Sequence, residues 1–496
     1  MKDKVILGMD LGTTGNRVVA YNRQGGAIAK AYYEFPQIFP KPGWVEHDPL
    51  KIWETALKAL KEVGEQVGAE NIEALGITNQ RETTILWEKS TGKPVFNAIV
   101  WQCRRTAPLC ESLKEHAERI KEKTGLFLDA YFSATKISWI LEHVPGLRAR
   151  AERGEILFGT VDTWILWMLT GGRTHATEVS NASRTLLYNI RTLEFDSELL
   201  KLFHVPKALL PAVLDSDGDF GCVEQKILGR EIPVRAMLGD QQASLFGQGA
   251  WEPGIVKNTY GTGLFVMTNT GDQLPRSGRL VNTIAWKTGK ELAYAVEGSI
   301  FIGGSCIQWL RDILKLIPSA EASEALAAHL ASNDGVYLVP AFVGLGAPYW
   351  DPDARGLLIG ITRGTTPAHI VRASLEALAY QTRDVIEEMQ KLCPGRPLRK
   401  LRVDGGAVKN NFLMQFQADI LGCSVERPLH TETTVFGVAG LTGIAVGFWS
   451  RKDYLQLVQI TERTFEARMD SKIRDACYRT WKEAVARSRG WAALGA

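Results

Sequence analysis

The sequence predicts an α/β protein with more than one domain, on three observations. Strand-like and helix-like stretches alternate along the whole chain, which favours α/β over all-α or all-β architecture. The chain has 496 residues, and domains usually run to about 100–200, so two large domains or three smaller ones are expected. A Gly-Thr turn between two strand-like runs occurs once in each half, at Gly12-Thr13 and at Gly261-Thr262, which reads as two related domains or as a coincidence of short turns.

Composition narrows the class. Hydrophobic residues make up 45% of the chain and charged residues 23%, ample for sizeable cores and unlike a disordered or collagenous chain. With 58 basic against 55 acidic residues, there is no polyelectrolyte face for nucleic acid or an anionic membrane. Seven cysteines without a CxxC pair point to a reducing cytoplasm. Eight scattered histidines without an HExxH motif leave no zinc site to expect. No segment approaches the roughly 18 apolar residues of a membrane span, and the apolar run 5–9 is cut short by Asp10, too short for a secretory leader. A cytoplasmic enzyme without membrane insertion is the expectation.

Taken in order, residues 5–9 read as a buried strand, Asp10 to Gly15 as a turn, and 17–21 as a returning strand. Asp48 caps the next helix and Pro49 suits its first turn. Ile52, Trp53, Ala56, Leu57, Leu60 and Val63 then recur at helical spacing. Gly64 and Gly68 break that pattern, and 74–78 resumes as a strand. Residues 256–271 form a second strand–turn–strand around Thr259 to Gly263, and Gly249 to Gly254 carries the turn residues of a linker. The expected division is therefore 1–250 and 251–496. Strand 401–403 runs into Asp404-Gly405-Gly406, ahead of a helix with Phe412, Leu413, Phe416, Ile420 and Leu421 on one face.

Phosphate chemistry has four candidate turns. GxxxxGK[ST] is absent, and so is a complete protein-kinase motif set. Gly12, Thr13 and Thr14 can bring backbone N–H groups and hydroxyls to phosphate oxygens, and Asp10 can hold a hydrated Mg2+; an ordinary hairpin turn is the other reading. The 261–263 turn, the Asp404-Gly405-Gly406 turn and Gly303-Gly304 ahead of the helix containing Gln308 complete the set. The strand–Asp404-Gly405-Gly406–helix unit places free N–H groups and a positive helix end where anions bind in open sheets. On the substrate side, Arg81-Glu82 follows a strand and can hydrogen-bond neighbouring hydroxyls or form a surface salt bridge. Asp240, after strand 232–237, is either a general base for a hydroxyl nucleophile or a helix cap.

The chain resembles the FGGY carbohydrate kinase family, within the sugar kinase/heat-shock 70/actin superfamily. Two family signatures are present, Tyr131-Phe132-Ser133-Ala134-Thr135-Lys136-Ile137-Ser138-Trp139 and Gly356-Leu357-Leu358-Ile359-Gly360-Ile361, the latter followed by His369-Ile370 and Ala373-Ser374-Leu375-Glu376. Gly76 to Thr84, Trp101 to Thr106, Asn181 to Thr185 and Gly239 to Gln242 resemble its glycerol-phosphorylating members in particular. The resemblance implies two actin-like (ribonuclease H-like) domains around a cleft holding ATP, Mg2+ and glycerol. It implies that Arg81, Glu82, Tyr131, Asp240 and Gln241 meet the glycerol hydroxyls, that Trp101 and Phe265 cover its carbons, and that Asp240 accepts the proton of the attacking 3-hydroxyl. It places Gly12, Thr13, Thr14, Gly15, Arg17, Thr262, Gly263, Gly304, Gln308, Gly406 and Asn410 around ATP, and Asp10 and Asp240 at Mg2+. It suggests a homodimer or homotetramer. Gly15-Asn16 stands where the family commonly has serines. Some bacterial members bind fructose 1,6-bisphosphate through a basic, glycine-rich loop. Here that region, Ile227-Leu228-Gly229-Arg230-Glu231-Ile232-Pro233, is shorter and partly acidic, so that control is not carried over. The competing readings are a related kinase for another polyol or ketose, and an actin-like ATP-binding scaffold or chaperone.

Overall fold

The computed structural model describes residues 4–276, 278–395 and 397–495. Val5–Leu11 contains one polar side chain in seven and becomes β1, a central strand of a six-stranded sheet. A strand covered on both faces needs no polar alternation. Antiparallel β2 (Gly15–Tyr21) and β3 (Ala27–Glu34) lie on one side of it. On the other side β4 (Ile72–Asn79) runs parallel to β1; beyond it, with β5 (Cys222–Val223) at the edge, β6 (Ile232–Gly239) runs parallel to β4.

The second sheet contains β7 (Ile255–Tyr260), β8 (Leu264–Gly271), β9 (Val281–Thr288), β10 (Glu291–Ile300), β11 (Lys400–Asp404), β12 (Ser424–Pro428) and β13 (Thr461–Phe465), in the spatial order β9-β10-β8-β7-β11-β12-β13. Its inner strands β10-β8-β7-β11-β12 repeat the pairing of β3-β2-β1-β4-β6, two antiparallel steps and then two parallel ones. The echo between the two Gly-Thr turns is thus a repeat of topology.

Helix α1 (Pro49–Val67) begins as expected, with the Leu50 N–H donating to Asp48 Oδ1 at 2.8 Å. It continues through Gly64 instead of breaking there and ends at Gly68, with φ 84. Leu228 packs against Gly64 so closely that a Cβ would lie 2.6 Å from its Cδ2, so tertiary packing offsets the roughly 1 kcal/mol propensity cost of glycine. The period-2 pleat of β1 divides its side chains. Val5, Leu7, Met9 and Leu11 share a core with Ile52, Ala56, Leu60 and Val63 of α1. Ile6 instead joins Val435, Val438 and Ala439 from a helix late in the chain, Thr433–Ala445. On that same face Gly8 lies directly under the backbone of this helix, and Asp10, the next residue on it, reaches the end of the strand. In the linker stretch Gly249 and Gly254 take φ of 63 and 93. Among the described residues no helix is long and apolar enough to cross a membrane.

Candidate active site

Strand register decides which residues meet. Leu11, Asn79 and Gly239 are neighbours across β1, β4 and β6, so the 12–14 turn, Arg81-Glu82 and Asp240 leave one edge of the first sheet side by side. In the second sheet Thr259 pairs with Asp404, which brings the 261–263 turn beside Gly405-Gly406. Open α/β sheets bind ligands at such carboxyl edges.

Glu82 departs from ordinary backbone geometry, with φ 63 in the left-handed region. Its carbonyl accepts the hydroxyls of Ser133 at 3.0 Å and Thr84 at 3.1 Å, which hold a conformation costing about 1–3 kcal/mol. The Glu82 carboxylate accepts from Arg184 Nε through Oε1 at 2.6 Å, and among the described residues Oε2 accepts nothing. Arg81 grips Glu297 with both terminal nitrogens, at 2.6 and 3.1 Å. Arg184 Nη2 donates to the same glutamate at 3.0 Å, and Arg81 Nε stands 3.1 Å from Asp240 Oδ1. Gly239 makes that reach possible, since a Cβ there would sit 2.6 Å from the Arg81 side chain. Arg81 and Glu82 are thus a buried cluster, not a surface pair.

Burial raises a carboxyl's pKa and a nearby arginine lowers it. At Glu297 burial pushes upward, but Arg184 and Arg81 outweigh it and hold the group down to about 2. At Glu82 burial outweighs Arg184 and Arg81, and the group is raised. Asp240 is the open member of the cluster, its side chain 30% exposed against 2% or less for Arg81, Arg184, Glu82 and Glu297. It begins α2 (Asp240–Gly247), whose cap position is Gly239, so Asp240 stands one residue inside the cap.

An aromatic wall adjoins the cluster. The Trp101 ring meets Tyr131 edge-on at 5.6 Å and Phe265 at 6.3 Å. Lys136 fixes the Tyr131 loop by donating to the carbonyls of Ala130, Tyr131 and Phe132. Trp101 Nε1 donates to Thr13 Oγ1 at 3.0 Å, and Gln80 Nε2 to the Gly12 carbonyl at 2.9 Å. The wall and the first turn are therefore tied together.

The residues expected around ATP differ in their freedom. Thr14 and Thr262 are exposed, and Gly12, Thr13 and Gly263 half-buried. Gly15 is buried in β2, where a Cβ would meet Tyr32 and Tyr33, and its carbonyl accepts from Gly12 N–H. Asn16 donates into α1, to the Ile52 carbonyl and Thr55. Arg17 pairs with Glu432 and lies over Tyr32. Gly303 and Gly304 do not present free N–H groups as expected, because the 261–263 turn folds onto them and its carbonyls accept both. Gln308 is exposed on the helix Gly304–Asp312. Gly405, at φ 91 and against the Tyr260 backbone, has to be glycine, whereas Gly406 borders open space. The Asn410 side chain caps the helix Asn411–Leu421 by accepting from Leu413 N–H at 2.9 Å.

Asp10 is raised to about 6 by burial, with Arg17 opposing and Asp240 adding to the shift. Among the described residues no group of three or more His, Cys, Asp or Glu could hold a metal. Two hard carboxylates in mutual electrostatic range instead fit Mg2+, which keeps waters and binds substrate phosphates. Sequence reasoning missed Glu297, Arg184 as a cluster member, and Lys257, whose Nζ donates to Gln241 Oε1. The one local signal is a charge inside a buried strand, as in Ala295-Val296-Glu297-Gly298.

The model of the FGGY family of carbohydrate kinases matches residues 5–247 with its N-terminal domain and 256–446 with its C-terminal domain. "Glycerol kinase 2" of Thermotoga maritima is 56% identical over 494 residues, covering 98% of this chain and 99% of that protein. Glycerol kinase of Aquifex aeolicus is 54% identical, covering 99% of this chain and all of that protein. Among solved structures, Plasmodium falciparum glycerol kinase with ADP superposes with a TM-score of 0.93 at 35% identity, covering 98% of each chain. A gluconate kinase from Lactobacillus acidophilus shares the fold, with a TM-score of 0.87 at 21% identity over 98% of this chain and 97% of that one.

Proposed function

The chain belongs to the FGGY family of carbohydrate kinases, and from that premise we propose that it transfers the terminal phosphoryl group of ATP to glycerol, giving sn-glycerol 3-phosphate. The observation that carries the reading is the buried Arg81–Glu82–Arg184–Glu297 cluster with Asp240 as its open end. A small triol needs convergent donors and acceptors beside a surface for its carbons. Arg81 donates, Glu82 accepts through its unused oxygen, and Tyr131 and Gln241 complete the hydroxyl contacts. Trp101 and Phe265 cover the carbons. Asp240 accepts the proton of the 3-hydroxyl as that oxygen bonds to the γ-phosphorus and the bond to the ADP oxygen breaks. Phosphoryl transfer asks mainly for such positioning and charge compensation, and water has to be kept out. Arg81 and Arg184, both held by Glu297 of the second sheet, close the two halves around the site.

Thr13, Thr14, Arg17, Thr262 and Gly263 are assigned to the phosphates of ATP, with Gln308 and Gly406 on the nucleotide side. Arg17 exchanges Glu432 for phosphate in doing so. Asp10 and Asp240 would hold Mg2+, which neutralises phosphate charge when bound. A cytoplasmic location and a homodimer or homotetramer accompany the reading; light scattering on the purified protein checks the assembly. ADP release measured over a panel of polyols and ketoses tests the substrate: glycerol is expected to give the highest kcat/KM, and a ketose preferred over it would replace this reading.

Two further outcomes follow. Glu82→Gln keeps the side chain's shape and leaves buried donors underpaired, a cost of about 1–3 kcal/mol, so glycerol kcat/KM should fall by about 5- to 150-fold while ATP binding stays near parental. Unchanged glycerol kinetics would remove Glu82 from the site. The second concerns pH. Below about 6 Asp10 carries a proton and cannot ligate a cation, so kcat/KM for ATP should fall as pH drops through that value. Raising Mg2+ should move the fall to lower pH, because metal and proton compete for one carboxylate. A profile indifferent to Mg2+ would contradict the assignment.

A further inference from the structure

Lys257 lies in the middle of β7, fully buried. Taking an ammonium out of water costs several kcal/mol unless it is paired, yet among the described residues Lys257 forms no ion pair within 4 Å. Its Nζ donates to two neutral groups, Gln241 Oε1 and, at 3.0 Å, Thr259 Oγ1. Asp404, Glu297 and Asp240 face it at longer range, with Arg81 opposing, and burial lowers it to about 8.

What the lysine does require is an orientation of Gln241. With Nζ donating, the amide oxygen has to face Lys257, and Nε2 is left to donate to Asp240 Oδ2 at 3.2 Å. Gln241 N–H donates to Asp240 Oδ1 at 2.7 Å, so both oxygens of Asp240 are held by one residue. Turning the amide over would set its NH2 against the ammonium and its oxygen against the carboxylate. Lys257 belongs to the second sheet, whereas Gln241 and Asp240 follow β6 of the first. We infer that Lys257 is a positioning residue that sets the Gln241 amide, and through it the Asp240 carboxylate, from across the cleft. The inference rests on Asp240 acting as the base.

Lys257→Met and Lys257→Arg, with Gln241→Met and the double variant Lys257→Met/Gln241→Met, test it by steady-state kinetics and thermal melts. Lys257→Met is expected to lower kcat by about 10- to 100-fold, the scale of a small misplacement of a reacting group, with KM for ATP within about twofold of parental. Its melting temperature should be equal or higher, because a buried charge without an ionic partner is lost. Lys257→Arg keeps a donor and should recover part of kcat. If Lys257 works through Gln241, the double variant is no slower than the slower single one. Losses that multiply, or a Lys257→Met kcat within about twofold of parental, would overturn the inference. Should Lys257→Met fail to fold, Lys257→Gln and the Lys257→Arg recovery carry the same comparison. Asp240→Asn, measured alongside, separates the two levels: if it is nearly as active as the parent the base reading fails, whereas if it alone is impaired only the role of Lys257 fails.

Discussion

Asp240→Asn is expected to give a folded protein that binds ATP and has lost about 10²–10⁴-fold in kcat, the usual contribution of a positioned base. The substitution is nearly isosteric. Asparagine can still accept from Gln241 N–H and from Arg81 Nε, the donors facing Oδ1. Its helix position is not at stake, because the cap is Gly239 and not Asp240. Arg81 keeps its two bonds to Glu297. The half-buried side chain gives up only the long Gln241 Nε2 bond to Oδ2, so the melting temperature should stay close to parental. What disappears is the oxygen that takes the proton. That proton becomes acidic only as the glycerol oxygen bonds to phosphorus, so the loss falls on kcat more than on either KM. A variant keeping more than about a tenth of kcat would remove Asp240 from proton transfer.

Glu297→Gln should be the most damaging change for the fold. Arg81, Arg184, Glu82 and Glu297 balance two positive charges with two negative ones in full burial. Removing one charge from such a group costs about 3–5 kcal/mol, because a guanidinium is left without its counter-ion. Arg81 loses a bidentate partner, and Arg184 keeps Glu82 alone. Glycerol kcat/KM should fall by about 10²-fold or more as Arg81 and Glu82 lose their setting. Differential scanning calorimetry and glycerol kinetics check both limbs. A parental melting temperature would mean that Glu82 and Asp240 suffice to balance the arginines.

Local signals carried much of the architecture. The apolar run of β1, the Asp48-Pro49 start of α1 and both strand–turn–strand units are set by near neighbours, and they stand where the residue pattern places them. Matching the two Gly-Thr turns also anticipated the repeated sheet, since both follow a central strand. Long-range pairing was not legible. Glu297 meets Arg81 across 216 residues and Arg184 across 113, and a lone carboxylate in an apolar strand does not announce its partners. For the same reason the local pattern marks Gly64 as a helix breaker, whereas Leu228 packs over it. The Gly303-Gly304 N–H groups look free in the local sequence, and the carbonyls that take them come from a turn some 40 residues earlier. The residue pattern of Arg81-Glu82 allows a site or a surface pair, and burial removes the surface reading.

ATP turnover by this chain is the phosphorylation of glycerol. Its most direct test is ADP release by the purified protein with MgATP, with and without glycerol, the product being identified by phosphorus NMR and by a stereospecific glycerol-3-phosphate dehydrogenase. Negligible ADP is expected without glycerol, and with it one sn-glycerol 3-phosphate for each ADP. ADP release at the same rate without glycerol, or a phosphorylated product other than that ester, would contradict it.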